Sequence, residues 1–262
     1  MSPPPITLTT DFGLSSPYVA AMKGVVLSIN PAVHVVDLTH SVPHQDVRHG
    51  ALVLAETALW FPPGTLHVGV VDPGVGTTRQ IIYTEIGGQR FLGPDNGLFS
   101  RLALAAPPTT IIAVTESEHW LPRVSRTFHG RDIMAPVAAR LSLGLAPERL
   151  GPVLERMTML PWAEVCVKER KITGQVQSID SFGNLMTDIS EGLLTDVPRG
   201  EGTTIACDEH ETRGIFNAYA DQPEMTLIAL IGSSGHLELA IVGDSAAIML
   251  GVRAGASVTV SW

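Results

Sequence analysis

Up to about residue 161 the chain alternates short apolar runs with stretches of helical periodicity. Residues 6–10 read as a strand that ends at Asp11-Phe-Gly. Ser16-Pro17 opens a helix, with Ser16 as N-cap and Pro17 at the first helical position, and Asn30-Pro31 stops it. Residues 33–38 form a short apolar strand, and 46–60 are helical by period until Phe-Pro-Pro-Gly ends them. A buried strand over 66–71 stops at Asp72-Pro-Gly. Residues 81–86 and 90–92 frame Gly87-Gly88 as a hairpin. Asn96-Gly97 opens a helix to about Ala105, 111–114 is a further strand and 132–143 a further helix. This order predicts a largely parallel sheet with helices on both faces.

Beyond that point the pattern changes. Residues 171–180, 185–189, 203–207, 226–231, 237–242 and 257–262 read as strands separated by Gly, Pro, Asp and Ser turns, with no convincing helix among them. The expected fold class is therefore α/β: an N-terminal domain, residues 1–163, with a largely parallel sheet flanked by helices, and a smaller all-β barrel or sandwich, residues 164–262. The boundary falls within 162–167.

Composition narrows the function. The chain is 45% hydrophobic and 16% charged, a surplus that a large core or an oligomer interface would absorb. Its net charge of −9 argues against nucleic acid, which needs a basic face, and suits a cationic small molecule. Cys166 and Cys207, without metal-ligand spacing, indicate a reducing compartment and no disulfide framework. The opening Met-Ser-Pro-Pro-Pro-Ile has no basic region followed by an apolar run, and no apolar run is long enough to span a bilayer. A soluble cytoplasmic protein without membrane partners is expected.

Three residues stand out at junctions where open α/β sheets build their sites: Asp72 in Val-Val-Asp-Pro-Gly-Val-Gly, Arg79 in Thr-Thr-Arg, and His129 in Thr-Phe-His-Gly-Arg-Asp. A carboxylate, a guanidinium and an imidazole together can hold and activate water. Each also has a plainer reading: Asp72 as a turn cap, His129 as a satisfied junction residue. Asp11 can accept both hydroxyls of a ribose diol, or serve as a turn Asp. Asp37, His40, His44 and His49 cluster in sequence and raise a metal site, although no His-Glu-x-x-His or paired Cys supports it. In the β region, Asp180 and Ser-Phe-Gly-Asn (181–184) put a carboxylate, the Phe182 ring and the Asn184 amide in one loop. Gly-Ser-Ser-Gly (232–235) offers hydroxyls and free N–H groups to a carboxylate ligand, or is a hairpin turn.

Taken together these motifs resemble the S-adenosyl-L-methionine hydroxide adenosyltransferase family, the SAM hydrolases, whose siblings are the fluorinating and chlorinating enzymes. The resemblance runs through Thr-Asp-Phe-Gly (10–13), Val-Val-Asp-Leu-Thr-His (35–40), Val-Asp-Pro-Gly-Val-Gly (71–76), Gly-Pro-Asp-Asn-Gly (93–97), Thr-Phe-His-Gly-Arg-Asp (127–132), Ser-Phe-Gly-Asn (181–184) and Gly-Ser-Ser-Gly (232–235). It implies hydrolysis of S-adenosyl-L-methionine (SAM) to adenosine and L-methionine by in-line attack of water or hydroxide at ribose C5′. It implies that Asp72, Arg79 and His129 hold the nucleophile and that Asp11 holds the ribose diol. Phe182 and Asn184 would meet the base, Asp180 the methionine ammonium and Ser233 the methionine carboxylate. Backbone at Val242 and Gly243 would read adenine. It further implies no cofactor or metal, and a homotrimer with sites at subunit interfaces. The family commonly has Tyr where His236 stands and Asn where Val242 stands. The halogenating siblings replace the residue at the Asp72 position, and the fluorinating branch has Ser at the Gly130 position and a long insertion before the Pro-Asn-Gly motif. None of these three changes is found here, which favours water as nucleophile. Two other classes fit the residues: a metal-dependent hydrolase of a nucleoside-like substrate, and a non-catalytic SAM-binding sensor.

Overall fold

The computed structural model describes residues 4–262; of the proline-rich opening, residues 1–3 lie outside the described residues. The chain divides into two units, one ending at Pro161 and one spanning Trp162–Trp262.

The first unit is built on β1 (Ile6–Thr10), β2 (Val35–Thr39), β3 (Leu66–Val70), β4 (Ile81–Ile86), β5 (Gln89–Pro94) and β6 (Thr110–Ala113), in the spatial order β2-β1-β3-β5-β4-β6. The pairings β1–β2, β1–β3 and β3–β5 are parallel, whereas β4 runs antiparallel to both β5 and β6. The antiparallel edge starts at the Gly87-Gly88 hairpin, where both residues have positive φ, +60° and +79°. A tight hairpin whose twist matches its strands needs that geometry, and glycine adopts it without a steric penalty.

Helices α1 (Tyr18–Ile29), α2 (Val47–Thr57), α3 (Ser100–Ala105) and α4 (Ala135–Ser142) cover both faces. The alternation along β1 decides what each face receives. Ile6 and Leu8 join Val26 of α1 and Val137 of α4 in one core, while Leu54 of α2 and Leu102 of α3 pack with Ile82 and Phe91 in another. Thr7 lies opposite Ile6, and its hydroxyl shares a 2.8 Å hydrogen bond with the buried His67, its partner in register on β3.

The helix starts differ from expectation. Ser16 does not cap α1: its hydroxyl donates to Phe12 O at 2.9 Å, and the helix begins at Tyr18 with Pro17 at the cap. Asp46 does cap α2, accepting from His49 N at 2.9 Å, but that helix ends at Thr57 and only a 3-10 turn, Ala58–Trp60, follows. Asn96-Gly97 forms a turn, and α3 starts at Ser100. The largest departure precedes α4. Residues Gly130–Met134 form a π turn, closed by Ala135 N–H donating to Gly130 O. Pro136 accounts for it: proline has no N–H for the carbonyl four residues back and its ring crowds that carbonyl. That carbonyl, Asp132 O, instead accepts from Leu121 N at 2.9 Å.

The second unit comprises β7 (Cys166–Lys168), β8 (Lys171–Ile179), β9 (Leu185–Ser190), β10 (Thr204–Cys207), β11 (His210–Arg213), β12 (Leu227–Ile231), β13 (His236–Ile241) and β14 (Ser257–Ser261), with one short helix, α5 (Ala246–Leu250). The strand order is β11-β10-β14-β8-β9-β13-β12, antiparallel throughout, with β7 on β8. Thr212 Oγ1 donates to Leu227 O at 2.7 Å, tying the two end strands into a nearly closed barrel around Ile172, Leu185, Leu239 and Val258. β7, β11 and α5 are additions to the expected elements. No helix among the described residues is long and apolar enough to cross a membrane.

Candidate active site

The carboxyl ends of β1 and β3 deliver Asp11 and Asp72 to the same cavity, of about 400 Å³. Asp72 begins a tight turn in which Gly76 takes φ +78° and lies so close to Arg126 that a Cβ would stand 2.3 Å from its carbonyl oxygen. Only glycine permits this seating, which places the segment leading to His129 against the Asp72 turn. Gly130 is similarly close-packed: a Cβ there would meet Val70 Cγ1 at 3.1 Å and Met22 Sδ at 3.2 Å.

Asp72, Arg79 and His129 are directly joined. Arg79 Nε donates to Asp72 at 3.0 Å, its Nη2 donates to Asp72 Oδ2, and Nη2 also lies 2.9 Å from His129 Nδ1. Side-chain exposure is 5% for Asp72 and 11% for Arg79, so the pair is largely out of water. A guanidinium has donors only, so His129 Nδ1 must accept and its proton sits on Nε2. The imidazole therefore offers a donor to the cavity, and the acceptor at this site is Asp72.

Burial lowers the His129 pKa, with the Arg79 charge adding to it against Asp72 and Asp132. The neutral imidazole is the form that can accept from Arg79, so protonation as pH falls breaks the array. The acid limb of turnover is expected to have its midpoint below 6.5, the ordinary imidazole value. His129→Asn should abolish or displace that limb in a pH–rate profile; an unmoved limb would assign it to another group.

Asp11 is held by the segment after β2: its Oδ2 accepts from Gln45 N at 2.8 Å, and Gln45 takes φ +62°. Three aromatic residues that the motif reading passed over line the same cavity. Phe12, Tyr18 and Phe128 meet edge to face with centroids 5.2–5.8 Å apart. Their signal was present but local: two adjoin Asp11 and His129 in sequence, and Tyr18 opens α1. Together the three rings give this side of the cavity a largely apolar wall.

The residues considered for a metal are not assembled for one. His40 is turned toward Thr10 and Asp37, while His44 borders the cavity. Among the described residues no group of three or more His, Cys, Asp or Glu is placed to hold a metal ion.

In the second unit, Asp180, Phe182 and Asn184 share one loop. Asp180 Oδ1 accepts from the backbone N–H of Phe182 and of Asn184, and its Oδ2 accepts from Asn184 Nδ2 at 3.0 Å. Phe182 is 77% exposed, a large ring held out in solvent, and Asn184 is buried. Gly183 has φ +85°, and its carbonyl accepts from Ala247 N at the start of α5. Ser233 lies in the turn before β13, and Val242 and Gly243 follow its far end. The motif reading missed Glu238, a buried carboxylate in the apolar run His-Leu-Glu-Leu-Ala-Ile that accepts from the Tyr219 hydroxyl. Burial raises the Glu238 pKa; Tyr219 opposes this and the Asp180 charge adds to it. Asp180, in the loop, and Glu238, on β13, thus lie close enough to interact through charge.

Comparison with known proteins identifies relatives along nearly the whole chain. The model of the SAM hydroxide adenosyltransferase N-terminal domain matches residues 6–151, and that of the C-terminal domain matches residues 174–259. The (R)-S-adenosyl-L-methionine hydrolase of Salinispora tropica is 39% identical over 259 residues, 97% of each chain. A fluorinase of Actinopolyspora mzabensis is 27% identical over 292 residues, 99% of this chain and 98% of that one. A crystal structure of a conserved protein from Thermotoga maritima superposes with a TM-score of 0.93 at 34% identity, covering 98% of this chain and all of that one. The matched domains span both units and include each of the motifs above, so the chain belongs to the SAM hydroxide adenosyltransferase family.

Proposed function

We propose that this protein hydrolyses SAM to adenosine and L-methionine, using Asp72, Arg79 and His129 to hold the attacking water. The observation that carries the reading is the hydrogen-bonded Asp72–Arg79–His129 array in a cavity that also presents Asp11. Water sits between an acceptor, Asp72, and a donor, His129 Nε2–H, with a lone pair free for attack. The O–C5′ bond forms as the C5′–S bond breaks, and the sulfur keeps the electron pair to leave as a neutral thioether. The water proton passes to Asp72 and then to solvent. A neutral leaving group needs no general acid, so the protein's contribution is alignment, dryness and a fixed ribose. Asp11 binds the ribose diol. In the second unit, Phe182 and Asn184 meet the base, Asp180 the methionine ammonium, Ser233 its carboxylate, and backbone at Val242 and Gly243 the adenine.

Incubation with SAM and chromatography should show adenosine and methionine in equal amounts, at a rate unchanged by a chelator. Activity lost to the chelator and restored by a divalent ion would replace this mechanism with a metal-dependent one. Binding without product would leave a SAM sensor.

The proposal includes a cytoplasmic homotrimer with sites at subunit interfaces, as the family resemblance implies. Light scattering at micromolar concentration checks the trimer, and a monomer there overturns it.

A further inference from the structure

We infer that His40 is a positioning residue that sets the Asp11 carboxylate for the ribose diol, an inference that rests on the Asp11 role proposed above. His40 is 3% exposed and lies outside the cavity wall, yet it meets both flanks of Asp11. On one side its Nδ1 shares a 3.0 Å hydrogen bond with Thr10 Oγ1, which also accepts from Phe12 N at 3.2 Å. On the other side its carbonyl accepts from Gly13 N at 2.8 Å, fixing a residue at φ +69°. Five residues on, Gln45 N–H donates to Asp11 itself. The segment 40–45 therefore grips the loop 10–13 by side chain, carbonyl and amide.

The far edge of the imidazole is anchored as well. His40 Nε2 is 3.0 Å from Asp37 Oδ1, and Lys23 Nζ of α1 is 2.6 Å from Asp37 Oδ2. The His40–Asp37 approach is a close polar contact that falls short of full hydrogen-bond geometry. Burial alone would raise the Asp37 pKa, but Lys23 and His40 outweigh it and hold the carboxyl below its ordinary range. A carboxylate behind an imidazole that in turn orients a binding group is a recurrent way to fix a first contact. Here the chain runs Lys23–Asp37–His40–Thr10 and ends beside Asp11.

The test is a preference ratio, which general loosening of the fold does not change. Calorimetry on the full chain compares adenosine with 2′,3′-dideoxyadenosine. Wild type should prefer adenosine by roughly 10- to 100-fold, the size of hydrogen bonds to a charged group. Asp11→Ala should remove that preference, and His40→Ala should cut it by about 10-fold with little further loss when combined with Asp11→Ala. His40→Asn, which returns an acceptor near the Nδ1 position, should restore part of it. Should His40→Ala not fold, Asp37→Ala carries the test, because the Asp37 side chain is 38% exposed. If His40→Ala and Asp37→Ala weaken both nucleosides equally, the positioning role is wrong and the Asp11 role survives. If Asp11→Ala keeps the preference, the Asp11 role fails and takes this inference with it.

Discussion

Asp72→Asn is expected to lower turnover of SAM by about 10²–10⁴-fold, the range for a positioned proton acceptor. It should leave affinity within a few-fold of wild type. The amide keeps an oxygen for Arg79 but loses the charge that receives the water proton. Asp72 is 5% exposed and held by two nitrogens of one guanidinium, so the substitution changes chemistry more than architecture. Single-turnover kinetics with SAM and calorimetry with adenosine separate the two quantities. A variant that turns over at near-normal rate would remove Asp72 from the mechanism, while family membership would stand.

Arg79→Lys should cost about 10²–10³-fold in turnover, as loss of a preorganised donor does, although it conserves charge. One guanidinium edge serves Asp72 through Nε and Nη2 while Nη2 also reaches His129 Nδ1. An ammonium is a point charge without that fork, so it cannot hold both partners in one plane. Groups that act as a unit are not additive. The double variant of Asp72→Asn with Arg79→Lys should therefore be little slower than Asp72→Asn alone. Additive losses would mean that Arg79 works independently, for instance on the substrate.

The alternation Ile-Thr-Leu-Thr-Thr and the Gly-Gly hairpin were legible in the sequence because their causes are local: period-two burial and positive φ. Asp72 and His129 were legible for the same reason, standing at strand and helix junctions. Arg79 was grouped with them from its place just past the same turn, but the direct hydrogen bond from Arg79 to His129 was not legible, since it joins residues 50 apart along the chain that meet only after the sheet has formed. The edge strand His-Glu-Thr-Arg carries no apolar residue, and α5 has five residues, too few for a period to show. Glu238 interrupts a hydrophobic strand, and its partner Tyr219 lies 19 residues away, beyond the reach of any local pattern. Ser16 had the right residue type for a cap, but a competing carbonyl at Phe12 claimed its hydroxyl.

The wide turn at Gly130–Met134 sets the aim of His129. Adding one residue to a helix shifts the phase of everything before it, relative to everything after, by roughly 100°. The α4 face that packs on the sheet is keyed to Ala135–Ser142, so the direction of His129 follows from that count. Deleting one residue from the wide turn would leave α4 seated and swing the imidazole off the guanidinium. Pro136, buried and chemically inert, thereby acts as a gauge block for a histidine seven positions upstream.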